Sequence, residues 1–571
     1  MKKGHKEIVI FPVGPLNVRL ELAKRIGWNH PHSSVIVLLR KDEKKIEPLS
    51  EEIPVRYRPL WKFPFSHLVK PGVIPIYHNA WHRTFLRMVG LAYLSGAFPI
   101  SVYREDGQPA GEKALSLSLK ELSFLFLSGT FYILGRMVRN LLPLFASLRR
   151  HDGPVEMAEK NLFILPIYPD LSHHFIFQQV LHLSRIVPCD IVAVVKGDSS
   201  YRAGYLETLD QSIRYLPRAE HLCMAALKSF CLLAFTRPRK LLEACLEIEQ
   251  DAREEGENLW SVRGFFSPFN PLYGLALYGL SKGQIPGSVH SYGLTIPTNY
   301  AMMFSMVFAI PHTATYYIDI PKGIPSRFFR LKRNRLKKVI VHTRHCIQEL
   351  ENLTGIPQEK MTFIPFGTVL DKAVVTNGFR QPSELLAVGR LVPKKGFHIL
   401  IEACGILRGR KQPVRCLIVG EGPELPFLKN RVKQGQMEET IIFLGGKRYD
   451  EYLSLLIPRR ILVQPSIVTE DGDHDGVPSV ILDAMARGLT VIGTSIGGIP
   501  EVIQDGENGF LVPPDDPEAL ANCIERLIRS PQVAHHIASA ARSTILQFYD
   551  VKKLTQTMAR ECGFINRSEE T

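Results

Sequence analysis

Cysteine is absent from the first 188 residues, and the nine that follow, from Cys189 to Cys562, form no Cys-x-x-Cys pair. An odd, unpatterned set excludes a disulfide framework and a zinc ribbon, and leaves reduced core thiols of a cytoplasmic protein as the expectation. No apolar run reaches the roughly 20 residues that cross a bilayer. The longest weakly charged stretch, 122–135, is broken by Ser123, Ser128, Gly129 and Thr130 and bounded by Glu121 and Arg136. It reads as a buried helix or as one lying in the plane of a membrane surface. A signal peptide is not expected either: Lys2, Lys3 and Lys6 are basic, but Glu7 follows and the apolar run 8–13 is short, as in a first β-strand. Zinc-finger, RRM and KH signatures are missing, so nucleic acid is not the expected partner.

What is present in excess is positive charge, a net +14 over 571 residues. Its densest stretch is 327–338, where Phe328, Phe329, Leu331 and Leu336 alternate with arginine and lysine. Two readings stand: a solvated surface helix, or a basic amphipathic helix at an anionic membrane surface. Under the second the protein is peripheral on the inner face of the membrane.

The length implies several domains. Residues 150–160 are polar, carry Gly153-Pro154 and read as a linker; residues 375–383 are a second break. The chain thus divides into an accessory region 1–150, a middle domain 161–375, a C-terminal domain 383–545 and a terminal helix or tail 546–571. In the middle domain the apolar stretches 161–166, 190–195, 338–342 and 361–365 predict strands, with helices over 175–185 and 346–353. In the C-terminal domain 384–388, 415–419, 441–444, 461–464, 490–493 and 509–512 predict strands, with helices over 397–409 and 480–487. Apolar strands alternating with helices predict parallel sheets covered on both faces, with ligands bound at the carboxyl ends of the strands. The accessory region opens with strands of the same class at 7–12 and 34–40. Residues 8–15 echo 163–169, as a decayed duplication would, and 85–148 turns helical and apolar without chemistry of its own.

The C-terminal domain carries the chemistry. A strand ends at Val388; Gly389 lets backbone approach a ligand, Arg390 can fork onto phosphate oxygens, and Lys395 adds a point charge before a helix N-terminus. A second glycine turn, Gly420 and Gly422, lacks the third glycine of a dinucleotide fingerprint. Then follow Asp475, Gly476 and Pro478, Asp483 eight positions after Asp475, the pair Gly497-Gly498 with Glu501, and Asn508-Gly509. Asp471, Asp473, Asp475 and Gly476 also match the opening of a calcium loop, but Leu482 stands where its closing glutamate belongs.

This ordered series, from Ser383 to Leu527, resembles the donor domain of the family 4 retaining glycosyltransferases of GT-B fold, particularly the branch that builds bacterial exopolysaccharides such as colanic acid and amylovoran. The resemblance implies an α/β architecture of two Rossmann-like domains facing across a cleft, plus the N-terminal α/β region. It implies transfer of a sugar from a nucleotide-diphosphate donor to a glycan or lipid-linked acceptor, with retention. Arg390, Lys395 and Asp475 would be the catalytic group, with Arg390 and Lys395 on the diphosphate and Asp475 on the sugar. Asp483 would hold the ribose, and Gly389, Gly476, Pro478, Gly497 and Gly498 would complete the donor site. The two cations would do the work of a metal, so no metal and no cofactor are expected. Aspartate replaces the family's glutamate at both acidic positions and reaches about 1.5 Å less.

The middle domain resembles the family's acceptor half less closely. Ser172, Phe175 and Ile176 match, whereas His173 and His174 do not. His290 is kept although Tyr292 replaces its partner, and Tyr316 or Tyr317 stands where a histidine should precede Asp319. Ser172, His290 and Asp319 are the acceptor-side candidates; His312, the nearest histidine, reads as structural. A donor-binding protein without turnover and a sugar-nucleotide epimerase are the competing readings.

Overall fold

The computed structural model describes residues 157–170, 173–198, 207–255, 270–281, 284–317, 328–370, 384–412, 414–456, 460–470 and 472–565, with four strands before residue 77. The chain forms two units, Met1–Met137 and Val138–Thr571. Ser172, Asp319 and the stretches 85–148 and 122–135 lie outside the described residues.

In the first unit, β1 (Glu7–Ile10), β2 (Ser34–Leu39), β3 (Val55–Pro59) and β4 (Val73–Ile76) form one sheet in the order β3-β2-β1-β4, with every pairing parallel. The strands expected at 7–12 and 34–40 both form.

The second unit holds two sheets. The first is built from β5 (Met157–Tyr168), β6 (Cys189–Lys196), β7 (Ile213–Tyr215), β8 (Ile285–Tyr292), β9 (His312–Tyr316), β10 (Lys338–Val341) and β11 (Met361–Phe363), in the order β11-β10-β9-β8-β5-β6-β7. The second comprises β12 (Glu384–Val388), β13 (Arg415–Val419), β14 (Ile441–Phe443), β15 (Arg460–Gln464), β16 (Thr490–Thr494) and β17 (Phe510–Val512), in the order β14-β13-β12-β15-β16-β17. Each is a doubly wound parallel sheet. Its order reverses at the first strand, so a crevice opens between the carboxyl ends of β5 and β8 in one and of β12 and β15 in the other.

The expected strands all form, because runs such as Val339–Val341 and Leu385–Ala387 are buried on both faces. Helix Phe397–Gly409 buries Phe397, Leu400, Ile401, Cys404 and Leu407, the spacing of a single helical stripe. Strands β7, β8 and β9 were not expected. They carry polar residues (Arg214, Ser288, His290, Thr313, Thr315) whose hydrogen bonds within the sheet replace the usual apolar signal.

The terminal helix Val551–Glu561 returns to the first half. It packs on helix His174–Ile186, Glu561 pairs with Lys338 at 2.5 Å, and Phe564 stands against Phe163 and His290 at ring-centroid distances of 5.3 and 5.7 Å. Two backbone hydrogen bonds, Thr368 N–H to Tyr549 O and Val551 N–H to Thr368 O, stitch the crossing.

The basic stretch 327–338 needs correction. Its helix, Phe329–Arg335, packs Phe328, Leu331 and Leu336 inside the protein, so of the four apolar residues in the stretch only Phe329 stays half-exposed. Arg330 bonds Asp251 at 2.8 Å and Glu254 at 3.1 Å, Arg335 bonds Glu247, and the fully buried Lys332 ammonium donates to the Leu294 carbonyl at 2.7 Å. The helix is thus an internal partner of the acidic face of helix Pro238–Glu254. Arg330→Gln should lower the unfolding midpoint, because Asp251 is buried and loses its ion partner, and should leave co-sedimentation with anionic vesicles as it is in the unaltered chain. A loss of vesicle binding without a loss of stability would restore the membrane reading. Among the described residues no helix is long and apolar enough to cross a membrane.

Candidate functional site

The two sheets point their carboxyl ends at a shared cleft of about 690 Å³. The first half contributes Asp170, His173 and His174 after β5, Tyr316 at the end of β9 and Tyr317 after it, and His342 after β10. The second contributes Gly389, Arg390 and Lys395 after β12, Glu421 after β13, and Asp475, Gly476 and Pro478 beyond β15. Every one of these side chains follows directly from the topology, since strand ends in a parallel sheet all face one way.

Arg390 is exposed in the cleft, and no ion pair joins it to a described carboxylate. Lys395 is mostly enclosed and donates to both oxygens of Asp475 at 2.9 Å. Two of its three ammonium hydrogens are thereby used, and one is left for a ligand. Ser466 donates to Asp475 Oδ2 at 2.6 Å. Burial alone would raise the Asp475 carboxyl, but the Lys395 charge, the Ser466 bond and Lys394 outweigh it and hold the group below the usual carboxylate range. Lys394 meanwhile bonds Asp473 at 2.8 Å. Two acids of the calcium-like run therefore already have ammonium partners, which argues against a calcium site there.

The glycines act through close approach. A side chain at Gly420 would strike the Gly389 carbonyl at 1.9 Å, so the second glycine turn packs directly against the first at the edge of the cleft. At Gly497, with φ +51°, it would strike the Asp475 carbonyl at 2.0 Å. Gly497 thus packs against the Asp475 loop and Gly498 against Gly476, Val477 and Thr343, so both back residues that line the cleft without being among those residues themselves.

Two further expectations change. Asp483 lies behind the cleft wall: Thr368 donates to it at 2.5 Å, Tyr449 at 3.3 Å and Tyr452 at 3.1 Å, with His174 Nε2 3.7 Å away. Burial would raise this carboxyl, but its bond and charge interaction with His174 and the Thr368 bond lower it, so it stays ionised at the seam between the halves. Its oxygens are committed to the protein and not open to a ribose. Asp483→Ala should cost about 2–4 kcal/mol of stability, since buried hydroxyls lose their acceptor; thermal unfolding checks this.

His290 is not a cleft residue. It is fully buried between Thr313 and Thr315, which take its two ring nitrogens at 2.8 and 2.9 Å, and burial pulls it down to about 3. Its place inside β8, pointing into the sheet, is the reason. His312 is likewise buried in the sheet and bonds Ser291, as its structural reading expects.

The residue that sequence reasoning passed over is His342. It directly follows β10, stacks on Phe366 with centroids 3.6 Å apart, and accepts the cleft as a neighbour. Its Nδ1 bonds the Ile364 carbonyl at 2.6 Å, so Nδ1 carries the proton and Nε2, buried without a hydrogen-bond partner among the described residues, is an acceptor. A histidine just past an apolar strand of a parallel sheet was the available signal.

Comparison with known proteins adds to this geometry. Residues 374–544 match the family model described as Glycosyl transferases group 1. Over 193 residues the chain is 33% identical to the amylovoran biosynthesis glycosyltransferase AmsK of Erwinia amylovora, a match covering 34% of this chain and 47% of that one. Over 213 residues it is 32% identical to WcaL of Salmonella typhimurium, a protein assigned as a colanic acid biosynthesis glycosyltransferase, covering 36% and 51%. The chain thus spans about half the length of the curated relatives it matches. Among solved structures, Anabaena Alr3699/HepE in complex with UDP and glucose is similar with a TM-score of 0.53 and 17% identity, over 71% of this chain and 99% of that one. A glycosyltransferase of Rickettsia africae is similar with a TM-score of 0.50 and 16% identity, over 72% and 99%. The fold of the second unit is therefore GT-B, two Rossmann-like domains across a cleft, and its second domain is similar to the group 1 glycosyltransferases.

Proposed function

We propose that the cleft binds a nucleotide-diphosphate sugar and that the protein transfers the sugar, with retention, to a glycan or lipid-linked acceptor in surface polysaccharide synthesis. The observation that carries this is the exposed Arg390 beside the Lys395–Asp475 pair, at the point where the switch crevices of both sheets meet. A cleft of about 690 Å³ suits a ligand of that size.

In this reading Arg390 and the third hydrogen of Lys395 hold the diphosphate. As the bond from the anomeric carbon to the diphosphate oxygen breaks, they stabilise the charge that gathers on the leaving group. Asp475, fixed by Lys395 and Ser466, accepts hydrogen bonds from sugar hydroxyls. The acceptor oxygen bonds the anomeric carbon on the face the diphosphate leaves, and its proton goes to the departing oxygen. Contacts from both halves keep water out.

A second reading, donor binding without turnover, is favoured by one observation: tyrosines 316 and 317 stand at the cleft where the family resemblance places a histidine. Incubating the protein with a panel of nucleotide-diphosphate sugars distinguishes the two. Release of nucleoside diphosphate that vanishes in Arg390→Ala supports transfer; tight binding with no release from any donor supports the second reading.

A further inference from the structure

A separate cluster spans the rim of the cleft. Helix His345–Thr354 of the first half begins just after β10, and His345 and Glu349, one turn apart, share its exposed face. The loop after β15 in the second half brings His474 against them. The His345 and His474 rings are 5.5 Å apart and nearly perpendicular, at 80°. One ligand atom each of His345, Glu349 and His474 lies within 4.8 Å of the other two.

Two observations make the cluster more than a surface coincidence. His474 Nδ1 lies 3.1 Å from the Gly472 carbonyl and donates to it. That bond fixes the tautomer and leaves Nε2 as a lone-pair donor, the arrangement usual for metal-bound imidazole. The backbone is also held where the halves meet: Glu501 of the second half accepts from the Arg344 and His345 N–H groups, each at 2.8 Å.

We infer that His345, Glu349 and His474 bind a divalent transition-metal ion of the zinc type, which clamps the two halves at the cleft rim. Two imidazoles and a carboxylate suit zinc, nickel or cobalt, whereas calcium and magnesium prefer all-oxygen sites. Metal–ligand bonds of about 2.0–2.2 Å bring ligand atoms to roughly 3.3 Å from one another. Rotation of the two exposed helix side chains covers the difference. Three protein ligands leave one position for water. Because His474 adjoins Asp475, the ion also steadies the loop that pairs with Lys395. An ion that needs ligands from both halves binds the closed arrangement alone and stabilises it by mass action.

The test is calorimetry of the tag-free full chain with zinc chloride, together with thermal unfolding with zinc and with chelator. One zinc per chain is expected, with a higher unfolding midpoint. His345→Ala, Glu349→Gln and His474→Ala should each weaken binding at least tenfold and abolish the rise. His345 and Glu349 are exposed, so their variants should unfold normally in chelator. A tetrahedral cobalt spectrum in the unaltered chain, lost in the variants, gives a second readout. Absence of stoichiometric binding, or wild-type affinity in the helix variants, would overturn the site, the second by pointing to the buried thiols. An affinity insensitive to His474→Ala would overturn the clamp.

Discussion

As pH falls from 6 toward 4, the folded chain should lose stability by about 4 kcal/mol per pH unit. The cause is three buried histidines, His290, His312 and His342, each drawn by burial from near 6.5 down to about 3. Their folded values lie below their unfolded ones. Between about pH 6.5 and pH 3 the unfolded chain therefore binds protons that the folded chain refuses. The stability is intact above pH 6.5 and drains away below it. Asp475 and Asp483, held low in the fold, add to the loss only below about pH 4. A domain worth about 5–15 kcal/mol has little left after two or three such units, so acid unfolding should come well above pH 3. Urea midpoints measured from pH 7 to pH 4 check the slope, and His312→Gln should flatten it by about a third. A slope near zero at pH 5 would mean that these rings are solvated and charged in the fold.

Asp475→Ala should separate binding from chemistry. The carboxylate neutralises Lys395, and removing one partner of an enclosed pair costs about 3 kcal/mol of stability. The freed ammonium then faces the cleft with all three hydrogens available. Affinity for a free nucleoside diphosphate should accordingly rise, where a carboxylate that merely lined the site would make no difference. Transfer should drop by about a hundredfold or more, the usual effect of losing a group that acts on the reacting sugar. Asp475→Asn keeps an acceptor for Ser466, should retain more stability, and should still lose transfer. Calorimetry with diphosphate beside donor-turnover assays reads both effects. Unchanged turnover in Asp475→Ala would remove this residue from the proposed mechanism.

The donor half was the more legible of the two. Its strands are uninterrupted apolar runs and its motif residues stand at strand ends, so reading order in the chain also gave position at the cleft. Gly389, Arg390, Lys395, Asp475, Gly476 and Pro478 all line it. Reach from a strand end was the limit of that logic. Asp483 sits inside helix Ser479–Ala486, and whether it faces the cleft or the seam depends on Tyr449, Tyr452 and Thr368, which no local pattern announces. In the first half, β8 and β9 carry histidines and threonines that bond one another within the sheet, so His290 looked like a site residue while serving the core. The 327–338 stretch failed for a related reason. Two of its arginines, Arg330 and Arg335, are matched by acids of helix Pro238–Glu254, some 80 positions earlier in the chain, a distance over which composition is blind.

The measurement that bears most directly on the cleft is calorimetry of uridine and guanosine diphosphate with the unaltered chain, Arg390→Ala and Lys395→Ala. Each hydrogen bond from a cation to a phosphate contributes about 1.5–3 kcal/mol, so each variant should bind the preferred diphosphate roughly tenfold to a hundredfold more weakly. Arg390, exposed and without an ion partner among the described residues, should give a clean loss at unchanged stability. Wild-type affinity in Arg390→Ala, or no diphosphate binding by the unaltered chain, would contradict the account.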